Sequence, residues 1–185
     1  MTSRDRRIVD AALAHFFRYG IKRTSLTDIA KEAEVSRQTI YNSYGDKDGL
    51  LRATIATFAE DLRTQTRAAL QNAHTLEARL DAFNEHMVIA MWEYGHSNPD
   101  AADLLEGATR VAQQEITAAN REMRGLIAET FEPERDKIAG MGLTQEAFAE
   151  VLQTSFFGLK NEATSREDLD RRLDALKRLT LAALG

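Results

Sequence analysis

A polar and basic segment near the amino terminus is the part of the chain best suited to binding chemistry. Between Thr24 and Tyr44 the sequence reads as two short helices joined by a tight turn. In the second helix Ile40 points inward, and the outward positions carry hydroxyl, guanidinium and amide groups. These outward residues are Ser36, Arg37, Gln38, Thr39 and Asn42. Two helices in this arrangement place the second one in the major groove of DNA, so the segment predicts a surface that hydrogen-bonds to a duplex.

The residue types give little indication of metal binding or catalysis. The chain has 0 cysteines, which excludes a disulfide framework, a thiol nucleophile and a cysteine-based zinc site. Glu93 and His96 have the Glu-x-x-His spacing of di-iron bundles, but such a site needs a second copy of the motif and two more glutamates. We interpret this pair as ordinary helix surface. Because phosphate-binding loops, nucleophile elbows and His-Glu-x-x-His motifs are also missing, we predict no enzyme activity, no cofactor and no metal.

Charge and hydrophobicity set the class of protein. The hydrophobic share of 43% in 185 residues is enough for a packed core. The net charge is −5, but residues 1–50 carry a net +2 and the remainder carries −7. A mildly basic head can hold DNA through a local patch although the body repels it. The chain contains neither an amino-terminal signal segment nor an apolar run of membrane-spanning length, so we predict a soluble cytoplasmic protein with no membrane partner.

The elements that position the polar segment are predicted to be helices. The first helix runs from about Arg4 to Tyr19, and Gly20 ends it. Ser25 and Ser36 are typical N-caps of the next two helices. The turn between these helices holds Glu34, at a position where glycine is common because the backbone there adopts a positive φ.

The rest of the chain also follows helical spacing. A long helix begins at Asp46 or Lys47 and ends near Gln71, and residues 132–142 are predicted to form a loop. Further helices are predicted to begin at Thr75, Asn98-Pro99, Ala108, Thr144 and Ser165, with Gly107 ending or bending the second of these and Pro133 stopping the third. We therefore predict an all-α fold of about nine helices, with a helix-turn-helix domain over residues 1–47 and a second helical domain over residues 48–185.

These features together resemble the TetR family of bacterial transcriptional regulators. The resemblance covers roughly the first 55 residues. It rests on the following residues: Ile8, Ala11, Ala12, Phe16, Gly20, Thr24-Ser25, Ile29-Ala30, Val35-Ser36, Ile40-Tyr41, Lys47 and Leu50-Leu51. It implies a regulator that binds double-stranded DNA as a homodimer and responds to a small molecule.

The resemblance also implies roles for individual residues. Thr24 and Ser25 would hold phosphates, and Ser36, Arg37, Gln38 and Thr39 would meet base edges. Tyr41 would contact the sugar–phosphate backbone and Lys47 would reach a phosphate; Asn42 is either a further contact or simply solvated. Side-chain chemistry agrees, because arginine pairs bidentately with guanine and glutamine with adenine.

The carboxy-terminal part of the chain is predicted to serve dimerisation and effector binding. The stripes on the last two helices favour a dimer seam over internal core: Phe148, Leu152, Ser155, Leu159, Leu169, Leu173, Leu176 and Leu184. Large apolar side chains with a few polar groups are typical of a small-molecule pocket and equally of a core. The candidate pocket residues are Phe83, His86, Met87, Met91, Trp92, Tyr94, Leu105 and Thr109, with Leu104 and Phe131 beside them.

The sequence supports one main hypothesis and two alternatives. The main hypothesis is a homodimeric repressor that leaves a palindromic operator when it binds an apolar or aromatic effector. One alternative is a helical interaction or ligand-binding protein without a DNA function. The other is a DNA-binding regulator that answers to a protein partner rather than to a metabolite.

Overall fold

The computed structural model of the chain describes residues 1–96 and 108–185. All regular secondary structure in these two ranges is helical, which confirms the predicted all-α class. The chain divides into two compact units, the first comprising Met1–Asp61 with Glu93–Ala119 and the second Leu62–Trp92 with Asn120–Gly185. The division falls inside the long fourth helix, whereas the predicted domains meet at residue 47.

Ten α-helices have their bounds within the described ranges. They are α1 (Ser3–Arg23), α2 (Leu26–Glu32), α3 (Arg37–Tyr44), α4 (Lys47–Leu70), α5 (Leu76–Phe83), α6 (Ala90–His96), α7 (Gln113–Thr130), α8 (Arg135–Gly140), α9 (Gln145–Glu162) and α10 (Arg166–Leu184). A π-helical turn (Asn84–Ile89) joins α5 to α6, and a 3-10 turn (Glu132–Glu134) precedes α8. The predicted helix start at Asn98-Pro99 and the predicted end at Gly107 lie outside the described residues.

The core of the first unit is packed around helix α1. A capping box begins it, in which Thr2 and Asp5 satisfy each other's backbone N–H groups. Gly20 interrupts the helical conformation with φ 76° and ψ 164°, so the predicted stop at this residue is confirmed. The core of the unit contains Ile8, Ala11, Ala12, Phe16, Ile21, Leu26, Ile29, Ala30, Ala33, Ile40, Leu50, Leu51 and Ala108. Its small residues let α2 and α3 pack closely against α1 and α4.

The second unit packs its helices through aromatic pairs and edge ion pairs. The rings of Phe83 and Phe156 stack with centroids 5.1 Å apart, which joins α5 to α9. Lys177 on α10 lies 2.8 Å from the carboxylate of Asp81 on α5. Lys137 on α8 donates to the terminal carbonyl oxygen atoms of α10, where a cation is favourable because helix carbonyls there lack partners.

The predicted dimer seam is wrong for most of its residues. Five of them are buried within a single chain: Phe148, Leu152, Leu169, Leu173 and Leu184. The physical reason is that α10 packs its leucine stripe against α5 and α9 of its own chain, so the stripe is internal core. Ser155, Leu159 and Leu176 remain partly exposed. The large apolar residues that are exposed on these two helices are Val151 and Leu179, at 57% and 69% exposure.

One further prediction is wrong, and another is confirmed at its start. Residues 132–142 were expected to be a loop, but they contain the 3-10 turn and α8, because fully buried Ile138 anchors a helical turn there. The helix expected to begin at Thr75 begins there, with Thr75 as its N-cap. It is followed by a π-helical turn at Asn84–Ile89, which the spacing of the apolar residues does not predict.

Candidate nucleic-acid interface

Two serine caps fix the positions of α2 and α3. The Ser25 hydroxyl accepts a hydrogen bond from the Asp28 N–H at 3.2 Å, and the Ser36 hydroxyl accepts one from the Thr39 N–H at 3.0 Å. Each cap satisfies one backbone donor that the helix start leaves without a helical partner. Both predicted caps are thereby confirmed.

The turn between α2 and α3 contains the backbone conformation that the sequence led us to expect. Glu34 has φ 54°, the one positive value at a non-glycine residue among those described. The next N–H, that of Val35, donates to the carbonyl of Ala30 at 2.9 Å, which closes the end of α2. A side chain in this left-handed region costs about 1–2 kcal/mol, and the packed helices on both sides hold it in place.

The outward face of α3 carries two side-chain couples spaced four residues apart. The Arg37 guanidinium lies over the Tyr41 ring, 5.3 Å from its centroid, and its Nη2 donates to the Tyr41 hydroxyl at 3.3 Å. The Gln38 Nε2 donates to Asn42 Oδ1 at 2.8 Å. All four residues are exposed, whereas Ile40 on the opposite side is completely buried. The predicted division into an outward polar face and an inward apolar residue is therefore present in the structure.

The electrostatics at the start of α3 suit an anion. The first turn of this helix contains Arg37 and has no acidic residue. A helix amino terminus presents backbone N–H groups and a partial positive charge, which favours phosphate. Tyr44 lies at the other end of α3, where burial, and secondarily the nearby Asp5 carboxylate, raise the pKa of its hydroxyl. A raised pKa disfavours the negatively charged form of this hydroxyl.

Two of the predicted phosphate contacts have partners within the protein. Thr24 is buried and its hydroxyl donates to the carbonyl of Gly20 at 2.8 Å, so its side chain caps the end of α1 and does not face solvent. The Lys47 ammonium donates to the carbonyl oxygen atoms of Ile21 and Thr24 at 2.9 and 3.2 Å. Ser25 is exposed. We therefore correct the prediction for the Thr24 hydroxyl, while Ser25 and Lys47 stay predicted contacts.

The predicted effector residues do not form one set. Phe83, Met87 and Trp92 are buried in the second unit, whereas His86 is exposed. Met91 is half-buried. Leu105 and Leu104 lie outside the described residues, and Phe131 is buried against Phe148 with ring centroids 5.2 Å apart.

Two of the candidates belong to the first unit instead. Thr109 is exposed there. Tyr94 packs its ring against Phe58 and Phe17, with centroids 4.7 and 5.3 Å away. This aromatic contact ties α6 to α1 and α4 within the unit, so the tyrosine has a packing role that the sequence did not indicate.

Asn84 is a residue that sequence reasoning missed. It is 8% exposed and begins the π-helical turn, and its Oδ1 has no hydrogen-bond partner in the described structure. A buried acceptor without a donor is costly, and π-helical turns are frequent at functional sites. An asparagine next to Phe83 and one helical turn before Met87 and Val88 is the signal that could have found it.

Metal and membrane chemistry gain no support from the described residues. No group of three or more His, Cys, Asp or Glu side chains lies close enough together there to hold a metal ion. None of the helices in residues 1–96 and 108–185 combines the length and apolarity that crossing a membrane requires.

Comparison with known proteins agrees with the resemblance that the amino-terminal residues suggest. Residues 8–54 match the family model for bacterial regulatory proteins of the tetR family. The transcriptional regulator BetI of Agrobacterium fabrum is 37% identical over 79 residues, which is 43% of this chain and 38% of that protein. The match therefore spans well under two thirds of that relative's length. BetI of Burkholderia thailandensis is 28% identical over 152 residues, covering 74% of this chain and 73% of its own.

The fold has counterparts among solved structures. A TetR-family regulator from Mesorhizobium loti superposes with a TM-score of 0.72 at 22% identity, covering 100% of both chains. At this identity the likeness concerns the fold alone. Residues 8–54 of the chain therefore resemble the amino-terminal segment of tetR-family bacterial regulatory proteins.

Proposed function

We propose that this chain is a transcriptional repressor that binds a palindromic operator in double-stranded DNA as a homodimer and leaves it when an effector binds. The observation that carries the DNA-binding part is the exposed polar face of α3, with no acidic residue in its first turn. The proposed contacts are Ser25, Ser36, Arg37, Gln38, Thr39, Tyr41, Asn42 and Lys47. Such a protein acts in the bacterial cytoplasm, where its DNA is.

Selection from a random duplex library tests the DNA-binding part. Two reading helices related by a two-fold axis would occupy major-groove half-sites about 34–36 Å apart. We therefore expect enriched sequences to be inverted repeats with that spacing between half-site centres. Failure to enrich any sequence at low salt would contradict the proposal and favour a helical binding protein without a DNA function.

The homodimer is supported by the exposed face of α9 and α10. This face combines Val151 and Leu179 with small exposed residues, Thr154, Gly158, Ala175 and Ala182. Small side chains let helices approach closely, and an exposed apolar strip of this kind suits a second copy of the same surface.

Gly158 offers a clean test of this face. A Cβ added at Gly158 meets no atom within 4 Å, so Gly158→Gln is compatible with the fold of one chain. In a close helix contact the same side chain would separate the two copies. We expect light scattering to give a dimer for the parent chain and a monomer for Gly158→Gln, with unchanged helical circular dichroism. A parent chain that is monomeric at every concentration would contradict the homodimer.

The proposal that a small-molecule effector binds this chain is based on Asn84. Its carbonyl oxygen is buried with no hydrogen-bond partner among the described residues and would accept a hydrogen bond from a hydroxyl or amine on an aromatic or apolar ligand. A thermal-shift screen with such compounds should raise the melting temperature of the parent chain more than that of Asn84→Leu, which keeps the volume and removes the acceptor. No shift with any compound would favour the alternative, regulation by a protein partner.

A further inference from the structure

The two couples on α3 lie within the surface proposed to read DNA, and they form before any DNA is present. Arg37 rests on Tyr41 and Gln38 is bonded to Asn42. Each couple joins a residue in the first turn of the helix to one in the next turn. A free arginine or glutamine samples many rotamers, and fixing it on binding lowers affinity. A side chain that is already held loses less freedom when it meets a base.

We propose that Tyr41 and Asn42 are positioning residues, which set the sequence preference of α3 by orienting Arg37 and Gln38. The inference rests on the proposed DNA-binding function. It assigns to Asn42 a role that solvent exposure alone does not suggest, and it gives Tyr41 a second task besides the predicted contact with the sugar–phosphate backbone.

The hydrogen-bonding capacity of the Gln38 amide supports this role. The amide nitrogen has two N–H groups, and one of them is given to Asn42 Oδ1 at 2.8 Å. When the N–H trans to the carbonyl oxygen makes this bond, the other N–H and the oxygen are left side by side, which is the donor and acceptor pair that adenine N7 and N6 require. Rotating the Gln38 amide alone by 180° would bring its oxygen against the Asn42 oxygen, so the orientations of the two amides are coupled.

The Arg37 couple combines a cation–π contact with a hydrogen bond. The guanidinium carbon lies 5.3 Å from the ring centroid, and the guanidinium has five N–H groups. One of these groups reaches the Tyr41 hydroxyl at 3.3 Å, and the others stay available for guanine O6 and N7. The preference of each half-site is thus expected to include one guanine read by Arg37 and one adenine read by Gln38.

A double-mutant cycle on Gln38 and Asn42 tests the inference. The probes are the operator selected by the parent protein and duplexes in which one base pair of that operator is changed. Dissociation constants are measured at one salt concentration for the parent, Gln38→Ala, Asn42→Ala and the double variant. We expect Asn42→Ala to reduce discrimination about 2–10-fold, the range of one hydrogen bond, at the same base pair at which Gln38→Ala abolishes it. In the Gln38→Ala background, Asn42→Ala should change discrimination no further.

The outcomes separate the alternatives. If Asn42→Ala lowers discrimination equally in both backgrounds, or at a base pair that Gln38→Ala does not affect, Asn42 contacts DNA itself and the inference is overturned. An unchanged discrimination ratio overturns it as well. A parent chain that selects no sequence contradicts the proposed function and not this assignment alone. Melting curves for all four proteins show whether α3 remains folded.

The contact between Arg37 and Tyr41 is tested independently by comparing a conservative and a non-conservative substitution of Tyr41. Tyr41→Phe keeps the ring beneath Arg37 and removes the hydroxyl, whereas Tyr41→Leu removes both. We expect guanine discrimination to be largely retained in Tyr41→Phe and reduced in Tyr41→Leu, with Arg37→Ala removing the difference between the two. Equal discrimination in Tyr41→Phe and Tyr41→Leu would show that the ring does not position Arg37.

Discussion

Helices α3 and α10 both carry residues for which the sequence predicts an external partner, and they differ in how much of the predicted surface stays available. On α3 the polar residues that suggest DNA lie in solvent, paired with one another. On α10 the leucines that suggest a second copy lie inside the chain, with Leu169 and Leu173 at 0% and 3% exposure. The same helix offers alanines and Leu179 to the outside.

The difference reflects what each kind of contact requires. A polar residue is expensive to bury without partners, so a run of polar residues at one helix face stays outside and can be located from its types. An apolar stripe can be buried against any apolar surface, and the nearest apolar surface is usually one of its own chain. Residue types therefore indicate a polar interface better than an apolar one.

The amino termini of the two helices also differ, in whether the chain itself provides a negative charge there. In α10 the Asp168 carboxylate, close to the helix start, accepts hydrogen bonds from the Thr164 N–H and from Arg172 at 3.2 and 2.9 Å. The start of α3 carries no such carboxylate. One amino terminus is thus neutralised by its own chain, and the other is open to a phosphate.

The largest expected effect is on the free energy of unfolding. It is tested by replacing one buried and one exposed leucine of α10 with alanine. Leu169→Ala removes a fully buried side chain and should lower the free energy of unfolding by about 2–5 kcal/mol. Leu179→Ala, at 69% exposure, should leave the unfolding of one chain within about 0.5 kcal/mol of the parent and weaken dimerisation. Urea unfolding at several protein concentrations separates the two effects. Equal losses at both positions would contradict the division into an inner and an outer face.

A second comparison lies within the proposed DNA surface. Arg37→Ala should cost about 1–3 kcal/mol at one base pair of the operator and relax the preference there. Lys47→Ala should weaken binding to all sequences alike and reduce the slope of log affinity against log salt by about one. Titrations of operator and scrambled duplex over a salt series distinguish the two. Equal losses on both duplexes from Arg37→Ala would mean that this residue contacts only phosphate.

Lys47 needs its own stability control. Its ammonium also donates to the carbonyl oxygen atoms of Ile21 and Thr24, so Lys47→Ala should lower the stability of the first unit by about 1 kcal/mol. Binding is therefore to be measured well below the melting temperature of the variant, with its folded fraction determined by circular dichroism.

Local chemistry accounts for what the sequence could predict. Five residues predicted at helix starts are the N-caps of those helices: Ser25, Ser36, Thr75, Thr144 and Ser165. A cap depends on one side chain and an N–H three residues away, so short-range sequence contains the whole interaction. The stop at Gly20 and the positive φ at Glu34 follow equally from local backbone sterics.

What the sequence could not predict depends on distant neighbours. Whether Leu169 faces a partner or its own core is decided by α5, which lies far from it along the chain. The helix at Arg135–Gly140 forms because Ile138 has somewhere to be buried. At the candidate site, the outward set on α3 was predictable from residue type, but the burial of Thr24 depends on how α1 ends beside it.

A third prediction concerns the turn that sets the angle of α3. Glu34→Gly should raise the free energy of unfolding by up to about 1 kcal/mol, because glycine adopts a φ of 54° without the steric cost of a Cβ. Glu34→Ala is the matched control. It removes the exposed contact with Arg7, 3.8 Å away, and keeps the Cβ. Chemical unfolding of the two variants isolates the backbone contribution, and equal stability of Glu34→Gly and Glu34→Ala would show that the turn is not strained.

The smallest expected effect concerns the neutralised start of α10 and depends on pH. Hydrogen bonds from the Thr164 N–H, and then from Arg172 and Arg171, lower the pKa of Asp168 in the folded chain, against a partly offsetting effect of burial. A carboxylate with a lowered folded pKa contributes stability above its unfolded pKa of about 4, and that stability disappears as the pH falls through the folded pKa.

Asp168→Asn should therefore melt at a lower temperature than the parent at pH 7, and the two melting curves should converge as the pH falls below about 4. The exposed Asp170 of the same helix, paired with Arg166 at 2.9 Å, provides the matched control, because an exposed ion pair contributes little to stability. Asp170→Asn should change the melting temperature less than Asp168→Asn at pH 7. A difference between Asp168→Asn and the parent that persists unchanged at pH 3 would locate the effect in side-chain packing and not in the charge that neutralises this helix start.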